Sequence, residues 1–64
     1  DYLKIESSNT LIDEIVVIDA IGNVIKVEKP ISKSVVLNTN NWSSGLYIIS
    51  VKSEKGVVTK KIIK

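Results

Sequence analysis

Apolar residues recur along this chain with a period of two, and most of them are isoleucine or valine. That alternation is the signature of strands with one face turned inward. It predicts six strands. The first covers 2–7, where Leu3 and Ile5 alternate with Tyr2, Lys4 and Glu6. The second covers 12–19, and its centre, Ile15 to Ile18, is apolar on both faces, as in a strand that is central or covered twice. The third, 24–28, sets Ile25 and Val27 on one face against Val24, Lys26 and Glu28 on the other. The fourth, 34–39, alternates Val35, Leu37 and Thr39 with Val36 and Asn38. The fifth covers 46–52 and the sixth 57–63.

Turn signals separate these segments. Ser7 to Thr10 is a run of small polar side chains. Gly22-Asn23 marks a hairpin, because glycine adopts positive φ without steric cost and asparagine tolerates it. Asp19 stands where its carboxylate can cap that hairpin by accepting turn N–H groups. Lys29-Pro30 interrupts the pattern, since proline lacks the N–H that a sheet interior needs. Asn40 to Gly45 forms a turn holding the lone tryptophan, Trp42, and Glu54-Lys55-Gly56 forms a tight hairpin with Gly56 at the left-handed position. Six short strands at such spacing, with no helical segment, predict a small antiparallel Ig-like β-sandwich of about six to seven strands. The expected inward set is Ile15, Val17, Ile25, Val27, Val35, Leu37, Tyr47, Ile49 and Val51. That leaves Val16, Ile18, Leu46, Ile48 and Ile63, which either complete a second layer or form one exposed patch that marks a partner surface.

Composition narrows the chemistry. At 64 residues the chain is one domain (1–64), near the small end of what folds unaided. It has no cysteine, histidine or methionine, so thiolate, imidazole and zinc chemistry lack their side chains. The net charge is +2, and all nine basic residues are lysine. Without arginine, and with only Tyr2, Trp42 and Tyr47 as aromatics, the chain lacks the forks and stacking platforms of nucleic-acid readers. The longest apolar run, Ile15 to Ile18, is far short of the roughly 20 residues that span a bilayer, and no signal-peptide pattern opens the sequence. The carboxylates read as solvated surface rather than as a facing catalytic pair, and the serines have no histidine to activate them. No catalytic residue, metal ligand or cofactor is expected. Trp42 reads as a plug for one end of the core, with a sugar-stacking platform as the lesser reading.

The order of the pieces then resembles a known family. "DYLKIE", "VVIDAIGNVI", "VVLNTNNWSSGLYIISVKSEKG" and a closing "TKKIIK" are similar to the C-terminal sorting domains of type IX (Por) secretion substrates of Bacteroidota. Asp1 matches the family's leading Asp, Asp19 and Gly22 its Asp-x-x-Gly hairpin, and Gly45 and Tyr47 its Gly-x-Tyr. Lys60, Lys61 and Lys64 match its terminal basic strand. Two departures stand beside these matches: no Asn-Pro precedes Asp1, and Trp42 replaces a residue that is more often aliphatic. The resemblance implies a β-sandwich that follows an N-terminal cargo domain in the same chain. It implies passage through the periplasm, recognition by the outer-membrane type IX translocon, and a secreted or cell-surface cargo. Removal of the domain by a sortase-like peptidase, with surface attachment of the cargo, is implied as well. On that reading Thr59, Lys60, Lys61, Ile62, Ile63 and Lys64 are the segment that is recognised, in the format of strand addition to an edge. The alternative is a carbohydrate-binding or adhesive accessory module of a surface protein.

Overall fold

The hairpin after the second strand shows how local chemistry sets the architecture. Asp19 Oδ1 accepts the backbone N–H groups of Asn23 at 2.9 Å and Ile21 at 3.1 Å, and Oδ2 accepts the Asn23 side-chain amide at 3.3 Å. Gly22 supplies the positive φ of 93° that the turn requires. The Asn23 backbone N–H, acting against partial desolvation, holds the Asp19 carboxyl below its ordinary value, with help from the Asn23 amide and the Ile21 and Gly22 N–H groups.

The computed structural model describes residues 2–64; the reading of Asp1 lies outside them. Six strands run in chain order: β1 (Tyr2–Glu6), β2 (Ile12–Asp19), β3 (Val24–Glu28), β4 (Ser34–Asn38), β5 (Leu46–Ser53) and β6 (Gly56–Ile63). They form two antiparallel layers, a four-stranded sheet in the order β3-β2-β5-β6 and a two-stranded sheet β1-β4. A single bridge, Ile12 with Ser32, links the start of β2 to the segment before β4. Just ahead of it Ile31 carries a φ of 45°, an uncommon conformation for a β-branched residue.

Period two decides most of what is buried, and a register shift between Ile12 and Glu14 lets Ile12 and Ile15, three residues apart, both face inward. β2 contributes Ile12, Ile15 and Val17, β5 contributes Tyr47 and Ile49, and β4 contributes Leu37. Leu3, Ile5, Val35, Trp42, Val51 and Ile62 pack around this core half-buried. Trp42 thus plugs one end of the sandwich, its ring centroid 4.9 Å from that of Tyr47. The Tyr47 hydroxyl donates to the Ser43 carbonyl, so the buried phenol is satisfied.

Two expected core residues are not there. Ile25 and Val27 are exposed. The cause is a register shift between Val17 and Ile18, where Val17 pairs with Lys26 while Ile18 pairs with Val24. Ile25 is the extra residue of that bulge, which resets the faces of β3. Val27, opposite Val16, falls on the outer face, while Lys26 and Glu28 take the inner face opposite Val17 and Ile15 and pair with each other at 3.5 Å. Only two strands lie over four, so the inner face of β3 meets solvent and carries charges.

Candidate functional site

The closing segment 59–64 is built as the edge of the four-stranded sheet. β6 pairs with β5 from Ser53 with Gly56 to Leu46 with Ile63, and with no other strand. Gly45 and Lys64 continue the ladder and exchange both backbone hydrogen bonds, at 2.9 and 3.0 Å. In an antiparallel pair such mutual bonds recur at every second residue. Ile62, Lys60 and Val58 therefore bond to β5. Val57, Thr59, Lys61 and Ile63 turn their N–H and C=O groups to the outer, unpaired edge.

The side chains of the same segment divide into two sets. Thr59, Lys61 and Ile63 project from the outer face of the sheet and are exposed. Lys60 and Ile62 share the inner face with Ile49 and Tyr47, their partners across the ladder; Ile62 is half-buried against the core and Lys60 is exposed. Lys64 is neither free nor merely solvated. Its ammonium donates to the Trp42 carbonyl at 2.9 Å and to the Thr39 carbonyl. The end of the strand is thereby clamped to the loop between β4 and β5, across 25 residues of sequence. No periodicity or motif signals that clamp; only the fold brings Lys64 and Thr39 together.

Of the remaining singled-out residues, Gly45, Tyr47 and Gly56 help to set this edge. Gly45, at φ 151°, leads from the Trp42 loop into β5. Tyr47 anchors β5 in the core opposite Ile62, and Gly56, at φ 123°, closes the β5–β6 hairpin. Asp19 and Gly22 lie at the β2–β3 turn and make no part of the β6 edge.

The unassigned apolar residues do share one surface. Val16 lies opposite Val27, Ile18 sits between Val24 and Ile48, and Leu46 pairs with Ile63, all on the outer face of the four-stranded sheet. Among the described residues nothing covers that face. Sequence reasoning did not foresee that β1 also has a free edge. Its signal was available only as topology, because β1 pairs with β4 alone. Among the described residues no helix is long and apolar enough to cross a membrane.

No curated protein and no solved structure matches the chain. A family model does, described as the secretion system C-terminal sorting domain, and the match runs over residues 1–64. Its span takes in every strand, both hairpins and the lysine-rich edge. The chain belongs to that family, the C-terminal sorting signals of type IX secretion, which direct export across the outer membrane to the medium or the cell surface.

Proposed function

We propose that the chain is a non-catalytic address and that the outer edge of β6 is the part the type IX machinery reads. The observation that carries this is the pair of mutual bonds between Gly45 and Lys64. By alternation they leave the backbone groups of Val57, Thr59, Lys61 and Ile63 unpaired, in the format that accepts an added strand. Thr59, Lys61 and Ile63 supply the side chains beside that backbone row. Lysine on an open edge suppresses pairing with arbitrary strands, so Lys61 keeps the edge soluble until its partner meets it. Ile62 holds the strand against the core, Lys60 lies exposed on the same face, and Lys64 fixes the strand's end.

In this reading the outer-membrane translocon binds the folded domain and moves the N-terminal cargo of the same chain outward. A sortase-like peptidase then removes the domain and attaches the cargo at the surface. The domain needs no metal, cofactor or nucleophile of its own for this.

The test uses proline as a backbone probe. The N–H of Lys61 points to the free edge, whereas that of Lys60 bonds to β5. Lys61→Pro therefore removes one donor from the recognition edge and leaves the β5–β6 ladder in place, as edge strands tolerate. The variant is placed behind a periplasm-directed fluorescent cargo in a type IX-competent bacterium, alongside the native domain and Lys61→Ala. The expected result is export with the native domain and with Lys61→Ala, and a folded, periplasmic cargo with Lys61→Pro. Export undiminished by Lys61→Pro would remove strand addition at β6 from consideration.

A further inference from the structure

An antiparallel sheet packed on one side commonly turns polar residues to water on the other. The outer face of β3-β2-β5-β6 does not follow that rule. Ile18 and Ile48 are partners across the β2–β5 ladder, Val24 and Val27 flank them on β3, and Ile63 stands at the end of β6. Val24 is 60%, Val27 50% and Ile63 83% exposed, although each belongs to a paired strand. An apolar face of this kind marks a contact surface.

The polar residues of the same face show what fits it. Glu14 on β2 and Lys52 on β5 are cross-strand partners, four residues from Ile18 and Ile48 along their strands. Each pair therefore sits at one height, with the acid and one isoleucine on β2 and the base and the other isoleucine on β5. A two-fold axis running along the strands between β2 and β5, just above the face, lays β2 of one copy over β5 of a second without changing heights. Ile18 then meets Ile48 of the second copy and Glu14 meets Lys52 of the second copy, and the symmetry makes each contact twice. On the flank, Lys61 lays its methylene stem over Val24 of the second copy and keeps its ammonium at the rim. An axis across the strands at Val16 would instead set Glu14 on Ile18 and Lys52 on Ile48, leaving the charges against hydrocarbon. The face is thus complementary to itself in one orientation.

Its size suits the same occupant. The molecule extends 32 × 22 × 16 Å, and two sheets stacked about 10 Å apart account for the shortest dimension. The broad side of 32 by 22 Å comes close to the roughly 800 Å² that each partner gives to a standard interface. We propose that this face docks a second copy of the chain, forming a symmetric dimer stacked sheet on sheet. The contact lies above the sheet and strand addition at β6 lies in its plane, so neither reading rests on the other.

The experiment is sedimentation equilibrium on the native chain, Glu14→Lys, Lys52→Glu and the double exchange Glu14→Lys/Lys52→Glu. The native chain is expected to be a monomer–dimer mixture. Each single reversal is expected to weaken the dimer about tenfold, because two exposed charge pairs are lost at once, and the double exchange to restore it. Lys52 is exposed and Glu14 half-buried, and circular dichroism checks that each variant folds. Should Glu14→Lys not fold, Lys52→Glu is compared with Lys52→Gln, and repulsion is expected to make the glutamate variant the weaker dimer. NMR on a mixture of labelled and unlabelled chains is expected to show Ile18 methyl groups in contact with Ile48 of the second copy. A chain that stays monomeric at millimolar concentration would overturn the proposal. So would a dimer indifferent to the single reversals, one the double exchange fails to restore, or one whose contacts between copies run along the β6 backbone.

Discussion

Asp19 and Ile31 show opposite ways in which one residue sets a turn. Asp19 gains three hydrogen bonds in the folded hairpin, and its carboxyl is held below the ordinary value, chiefly by the Asn23 N–H. A depressed carboxyl contributes stability above its unfolded pKa, about 3.9 for Asp, and loses it as pH falls through the lower native value. Asp19→Ala is therefore expected to lower Tm near neutrality. The gap to the native chain should narrow steadily as pH falls below about 3.9; a gap independent of pH would show that the charge contributes nothing. This much was legible in advance, since Asp-x-x-Gly is a local signal whose partners lie within four residues. Ile31 was not legible, because nothing in Lys29-Pro30-Ile31 announces a φ of 45°. An L-residue there bears roughly 1–2 kcal/mol of strain, and Ile31 is exposed, so little burial offsets it. Ile31→Asn is expected to stabilise by about 1 kcal/mol and to raise Tm by about 4–8 °C. A scanning calorimetry trace with an unchanged or lower Tm would mean that Ile31 makes a contact outweighing the strain.

At the scale of elements, β6 completes the sheet and, in the proposed reading, presents the address, and a truncation cannot separate the two. Removing residues 59–64 deletes the ladder from Ser50–Thr59 to Leu46–Ile63, the half-buried Ile62 and the Lys64 clamp, and bares β5 as a new edge. Marginal domains have only about 5 kcal/mol to lose at the low end. The truncated chain is expected to lose its dispersed NMR spectrum and its strand signal in circular dichroism, so failed export would report unfolding rather than a lost address. A truncation that stays folded would show β6 to be an appendage. The strands themselves were readable to within a residue or so at their ends, because β1 and β4 alternate, β2 and β5 are dense in isoleucine and valine, and glycine, asparagine or proline punctuates the breaks. The facing of β3 was not, because the bulge at Ile25 resets the alternation and the segment VIKVE gives no sign of an inserted residue. The candidate edge was legible as a lysine-dressed final strand. Which backbone groups it exposes, and that Lys64 reaches Trp42 and Thr39, followed only from pairing and long-range contact.

For the whole molecule, the decisive feature is how little joins its two layers. Five of the six buried apolar side chains belong to the four-stranded sheet; Leu37 alone, 1% exposed, comes from the other. Leu3, Ile5 and Val35 assist from the same layer but are only half-buried. There is no cysteine, so no disulfide stands in for the missing core. Truncating a buried leucine to alanine costs about 2–5 kcal/mol, through lost transfer energy and the cavity left behind. Total stability in a domain this size lies near the low end of about 5–15 kcal/mol. Leu37→Ala is thus expected to remove most of the stability and leave a partly unfolded chain at 25 °C, whereas Val36→Thr on the exposed face of the same strand should change stability by less than about 1 kcal/mol. Urea melts followed by Trp42 fluorescence check both, since Trp42 packs on the core that Leu37 closes. The comparison also bears on sorting: a cargo carrying Leu37→Ala should stay in the periplasm although every residue of the β6 edge is intact. Were it exported as efficiently as the native fusion, the address would be a linear peptide and the sandwich dispensable. If Val36→Thr is exported and Leu37→Ala is not, what is read is an edge held in place by a fold.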